Sequence, residues 1–203
     1  MARESTAIGV DRLLAFTDAV TAIAITLLAL EITVPEGLSE TQLGHALGHA
    51  LVKLSAYLLS FAVVGLLWLA HHKLFGLIAT LDTAMVRLEL AFLAVVAALP
   101  FPTRLLSEYG QTTEATAVYA GSIALAGALM TVMALRLRAD GPLRVPDAPH
   151  GQIGRVVFAN ASLTAVFATS IPVALASPLA AKYWWLLLLP VRLIPPASAS
   201  CPP

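Results

Sequence analysis

The chain has 203 residues, 59% of them hydrophobic and 12% charged, with a mean hydropathy of +0.85 and a formal net charge of zero. A soluble domain of this length carries roughly 25% charged residues on its surface, so the composition excludes a water-soluble globule. The balance of 12 basic and 12 acidic residues also excludes a nucleic-acid partner, because no basic tract exists to meet phosphates.

Charge-free stretches at Leu54 to Ala70, Ala115 to Leu135 and Val156 to Ala181 read as membrane spans. About 20 helical residues cross ~30 Å of hydrocarbon. In chain order, six spans are predicted. The first covers about 13–34 and ends at Pro35-Glu36-Gly37. Mixed charges at Arg3, Glu4, Asp11 and Arg12 and a long apolar stretch without a small-residue cleavage site argue against a cleavable signal peptide. Ser39-Glu40-Thr41-Gln42 reads as a capping box, and a helical pattern then continues to about Ala70, with the span itself at 51–70. The third span is expected over 85–106, kinked or ended by Pro100 and Pro102. The fourth and fifth are expected over 115–137 and 152–176, separated by a polar, Pro-containing loop. Ser177-Pro178 turns the chain into a sixth, 179–194, and 195–203 reads as a disordered tail. The fold expected is an all-α membrane protein with one six-helix domain over residues 1–194.

With the N-terminus inside, Arg3, Arg12, Lys73, Arg87, Arg136, Arg138, Arg144, Arg155 and Arg192 fall on the cytoplasmic side. Only Lys53, Arg104 and Lys182 fall outside. The bias predicts a cell (inner) membrane protein with both termini cytoplasmic.

The first span carries most of the information, because Asp18 and Glu31 interrupt its apolar sequence. A carboxylate at bilayer depth costs about 2.5 kcal/mol or more when unpaired. Asp18 fits either a structural ion pair near the membrane face or a functional group, and Glu31 lies near enough to the outer end to snorkel. Ile23, Thr26, Leu27 and Leu30 share one helical stripe, and Asp18 lies about 140° from Ile23. Spacing alone favours ordinary packing, because Ile/Leu stripes are common on helices. His45 and His49 stand four residues apart, as two metal ligands on one helix face would, with no third Cys or His nearby, so that Glu40 or a neighbouring subunit would have to contribute; an exposed polar face is the simpler reading. His71 and His72 are adjacent and point about 100° apart, which suits a polar network better than chelation. Trp68, Tyr183, Trp184 and Trp185 sit near predicted helix ends, as interfacial anchors do. Gly121 and Gly127 permit close helix packing in the fourth span. No nucleophile with a base, phosphate loop or dinucleotide fingerprint is present, which argues against an enzyme and against a cofactor.

Arg12-Leu13-Leu14-Ala15-Phe16-Thr17-Asp18 resembles the Arg-x-x-x-Phe-Ser-Asp signature of the bacterial transmembrane protein 175 family of potassium channels. The resemblance continues at Ala22 to Leu28, Leu30-Glu31-Ile32, Trp68 to Phe75 and Leu99 to Thr103. Thr17 replaces the usual serine and keeps its hydroxyl. Arg87-Leu88-Glu89-Leu90 departs from the family, which commonly carries an asparagine near Leu90. The resemblance implies a homotetramer in a lipid bilayer, with the first helix of each subunit lining a pore for K+ ions. Ile23 is then the constriction, Leu27 and Leu30 add apolar rings, and Thr26 supplies a hydroxyl ring. Arg12, Phe16, Thr17, Asp18, His71 and His72 are expected to form a structural polar network. A hydrophobic gate of this kind works by dewetting and favours only weak to moderate K+/Na+ selectivity. A secondary transporter using Asp18 as its coupling site and a non-conducting scaffold are the alternatives.

Overall fold

The computed structural model describes residues 9–30, 32–139, 141–146 and 150–188, the side chains of residues 40, 49 and 150 excepted. Among the described residues seven α-helices follow one another: α1 (Val10–Ala29), α2 (Glu40–Phe75), α3 (Thr83–Ala98), α4 (Pro100–Tyr109), α5 (Thr113–Ala139), α6 (His150–Ala176) and α7 (Pro178–Trp184). Among the described residues there is no β-strand, apart from an isolated bridge between Ile78 and Arg144. Five segments of the described residues are long and apolar enough to cross a membrane: α1, α2, the α3–α4 pair, α5 and α6. The molecule is an all-α, multi-pass membrane protein.

Local chemistry explains where the helices start and stop. Helix α1 ends at Ala29 rather than near residue 34, because β-branched Ile32, Thr33 and Val34 precede Pro35, which disfavours helical backbone at the residue before it. Gly37 then takes φ of 75°, a conformation glycine reaches without a Cβ clash. Helix α2 begins at the expected cap, where Ser39 N–H donates to Gln42 Oε1 at 3.0 Å. It runs 36 residues, five beyond Ala70. Asp82 caps α3 by accepting from Met85 N–H at 2.7 Å. The third span breaks at Leu99, since Pro100 has no N–H to continue the α3 ladder; Leu99 N–H instead closes a tighter turn onto Val96 O. The sixth expected span starts at Pro178, behind Ser177, and passes from α7 into a 3-10 turn at Trp185–Leu187. Its remainder and the tail lie outside the described residues.

The core is centred on α5, in which Tyr119, Ile123, Met130, Met133 and Leu137 are buried and whose most extensive neighbour is α6. Gly127 explains the close α5–α6 approach: a Cβ there would stand 2.7 Å from Leu163 Cδ2 and from Thr164 Oγ1. Gly121 meets nothing within 4 Å, so of the two expected packing glycines only Gly127 is used within the chain. Several buried hydroxyls are paired across the apolar interior, where an unpaired one is costly. Ser60 Oγ lies 2.9 Å from Thr103 Oγ1 and 3.2 Å from the Tyr119 hydroxyl. The Trp185 indole donates to Ser170 Oγ at 2.9 Å.

Successive spans alternate in direction. At one end, Ala79 N–H donates to Leu143 O, Val145 N–H donates to Leu77 O, and Arg136 pairs with Asp82. These bonds tie the α2–α3 turn to the α5–α6 connection. At the other end, Val52 and Lys53 of α2, the Leu106–Thr112 turn and Lys182 of α7 surround one concavity.

Candidate pore stripe and polar cluster

Helix α1 has two faces of different character. It packs against α2 and α3 through Leu13, Thr17, Thr21, Ala24 and Leu28, all buried. The opposite stripe is bare: Phe16, Ile23 (58% exposed), Leu27 and Leu30 (70% exposed) are all exposed, as are Arg12, Ala19 and Thr26. At about 100° per residue these seven positions fall within about 60° of Ile23, on a single line along the helix. Ile23 to Leu30 covers about 10 Å of that line. The Thr26 hydroxyl donates to Ile23 O at 2.8 Å, which ties up its proton and leaves oxygen lone pairs outward.

The polar residues divide into two clusters. In the inner one, Thr17 Oγ1 lies 2.6 Å from Glu89 Oε1 and 3.1 Å from Leu13 O and can donate to either. His71 Nε2 lies 2.9 Å from the same Glu89 oxygen, and both side chains are 0% exposed. That approach lacks hydrogen-bond alignment, and both His71 ring nitrogens and Glu89 Oε2 have no hydrogen-bond partner among the described residues. Stacking holds the His71 ring in place: Phe75 and Phe92 lie against it with centroids at 4.1 and 5.5 Å. The outer cluster is half-exposed. The Trp68 indole donates to Asp18 Oδ1 at 2.8 Å, and His72 Nε2 is 3.5 Å from that oxygen. The Trp68 and His72 rings contact each other at 4.2 Å.

Thr17, Asp18, His71 and His72 gather beside the first half of α1, in two clusters. Arg12 and Phe16 do not join them. Phe16 and Asp18 are two positions apart, hence about 200° around the helix, so the side that reaches α2 cannot also hold Phe16. Arg12 makes no hydrogen bond or ion pair with the described residues and stands on the bare stripe. Glu89 is the member that sequence reasoning passed over as a departure from the family. Its signal was available: Met85, Phe92, Leu93 and Val96 mark an apolar α3 face on which Glu89 lies. His45 is exposed, the His49 side chain and Glu31 lie outside the described residues, and no group of three metal-ligating side chains occurs among the described residues.

This arrangement has counterparts. Residues 12–100 match the family model described as endosomal/lysosomal potassium channel TMEM175. A potassium channel from Streptomyces collinus is 42% identical over 161 residues, 75% of this chain and 77% of that protein. A chicken protein named endosomal/lysosomal proton channel TMEM175 is 30% identical over 48% of this chain, but only 20% of its own length. Among solved structures, a lysosomal potassium-selective channel TMEM175 homologue from Chamaesiphon minutus superposes with a TM-score of 0.79 and 27% identity, covering 91% of this chain and 96% of that one. These relatives are named as ion channels, not enzymes.

Proposed function

The chain belongs to the TMEM175 family, and on that premise we propose that it forms a homotetrameric, potassium-preferring cation channel whose pore is lined by α1. The observation that carries this reading is the bare α1 stripe. The face of α1 that carries Leu13, Thr17, Thr21, Ala24 and Leu28 is packed within the subunit, and a bare stripe runs the length of the helix through Phe16, Ile23, Leu27 and Leu30, flanked by exposed Asp11, Ala15, Ala22 and Ala29. A single subunit has no axis along which to enclose a path, whereas cyclic self-association turns one stripe into stacked rings.

Four Ile23 side chains at the axis make a narrow apolar ring that excludes ions when dry and admits them when slightly wider. Leu27 and Leu30 extend the apolar lining outward. The Thr26 oxygens, free to accept, give a permeating K+ ion a partial substitute for hydration, and the resulting preference over Na+ is modest. No cofactor is needed for this chemistry. The remaining features fit six spans per subunit in a cell membrane, with both termini cytoplasmic. A transporter coupled through Asp18 has less support, because that carboxylate is held by the Trp68 indole on the side away from the stripe.

The test is reversal potential and conductance in planar bilayers under a potassium/sodium gradient, for wild type and Ile23→Ala. A potassium-favouring current that grows or loses selectivity in the variant supports the reading. Silent bilayers from well-assembled protein of both kinds would overturn it in favour of a transporter or scaffold.

A further inference from the structure

Helix α2 is too long for the bundle it belongs to. Trp68 lies beside Asp18, so counting along antiparallel helices sets Leu30, the residue that follows α1, near residue 56 of α2. Val52 and Lys53 are the outermost α2 residues that line the concavity shared with the Leu106–Thr112 turn. The twelve residues from Glu40 to Leu51 stand clear beyond them, about 18 Å of helix. In this stretch every described side chain is exposed except Ala46 and Ala50, which are half-buried. Gly44 and Gly48 also lie here, and each weakens a helix by roughly 1 kcal/mol relative to alanine. A short, glycine-bearing, unsupported helix in water is marginal and needs a packed face.

The spacing of its apolar residues says what kind of face. Leu47, Leu51, Leu54, Leu58 and Phe61 are all exposed, with Leu47 at 50% and Leu51 at 65%. They follow one another at steps of four, three, four and three, the repeat of a helix-on-helix seam. The stripe runs unbroken from the free extension into the membrane portion of α2. A helix lying on a lipid surface is the competing occupant, and it carries lysines or arginines on its polar face. From Glu40 to Val52 there is no lysine or arginine; Glu40 is the only charged residue. His45 and His49 sit at positions off the seam.

We propose that the α2 extension is an inter-subunit clasp, in which Leu47 and Leu51 of one chain pack on the same residues of a second copy outside the membrane. Gly44 then serves close approach between copies, since within one chain a Cβ there meets nothing. The clasp rests on the self-assembly proposed above, but it is a separate contact from the α1 stripe, about 18 Å (Leu51) to 24 Å (Leu47) from Ile23 along the helices. It would hold the four subunits together while α1 moves at the gate.

The test is crosslinking of the full chain in liposomes with a short bis-maleimide. Cys201 is replaced (Cys201→Ser), so each single cysteine reports alone. Leu47→Cys and Leu51→Cys probe the seam, His45→Cys the opposite side of α2, and Leu30→Cys the outer end of the α1 stripe. The expected result is dimer-to-tetramer ladders from Leu47→Cys and Leu51→Cys, with several-fold less product from His45→Cys. Equal crosslinking at His45 and Leu47, the signature of an unpacked helix, would overturn the clasp. Crosslinking from Leu30→Cys alone would overturn it and leave the pore reading standing. No crosslinking at any of the four positions would overturn both.

Discussion

Thr17 and Glu89 meet at 2.6 Å across the α1–α3 interface, and this contact joins the candidate pore helix to a carboxylate that is completely buried. His71 approaches the same oxygen from α2, so three helices converge on one atom. Such a junction fixes the rotation of α1 about its own axis, and with it the direction in which Ile23 points.

Removing that carboxylate is therefore expected to damage the fold more than the current. Glu89→Ala leaves the Thr17 hydroxyl and His71 Nε2 facing a void, at a cost of about 3 kcal/mol. Glu89→Gln keeps an acceptor for Thr17 and costs less. Thermal unfolding in detergent, followed by size exclusion, reads both. An alanine variant as stable as wild type would show that Glu89 does not hold the junction.

Asp18 is half-exposed and accepts one well-placed bond from Trp68, so its loss is milder. Asp18→Ala should lower the yield of assembled protein, with a cost near 1 kcal/mol, while the reversal potential stays put. Asp18→Asn, which retains an acceptor, should recover most of the yield. Retained yield with a shifted reversal potential would place the carboxylate in the ion path instead.

The hydroxyl of Thr26 is the one polar group facing outward between Ile23 and Leu27. Thr26→Val keeps the shape and removes the oxygen. Potassium preference should fall, and Thr26→Ser should restore it. Bi-ionic reversal potentials decide this; an unchanged ratio in the valine variant would leave selectivity to the Ile23 ring.

Gly127 and Gly121 differ by surroundings alone. Gly127→Ala must push both Leu163 and Thr164 aside and should destabilise the α5–α6 pair by about 1–3 kcal/mol. Gly121→Ala meets open space within the subunit and should be neutral or stabilising there. Comparing the two melting temperatures is enough, and equal losses would refute the packing role of Gly127.

Much of this molecule was readable along the chain. Uninterrupted apolar stretches locate α5 and α6, Pro100 marks the break after α3, and the Ser39 to Gln42 pattern marks where α2 starts. These features are legible because transfer into hydrocarbon and the satisfaction of backbone bonds depend on residues close in sequence. The Ile23, Thr26, Leu27 and Leu30 stripe was legible too, as an angle around a helix, although periodicity alone could not say whether it was packed or bare.

What only the tertiary structure decided is which groups meet. Sequence drew attention to Asp18, yet the fully buried carboxylate is Glu89, because α2 and α3 close over one side of α1 and leave the other open. Arg12 and Phe16 belong to a shared motif but fall on the bare stripe, and two similar glycines part company because only one faces Thr164. Burial is a property of neighbours brought together from distant parts of the chain, and no local pattern specifies them.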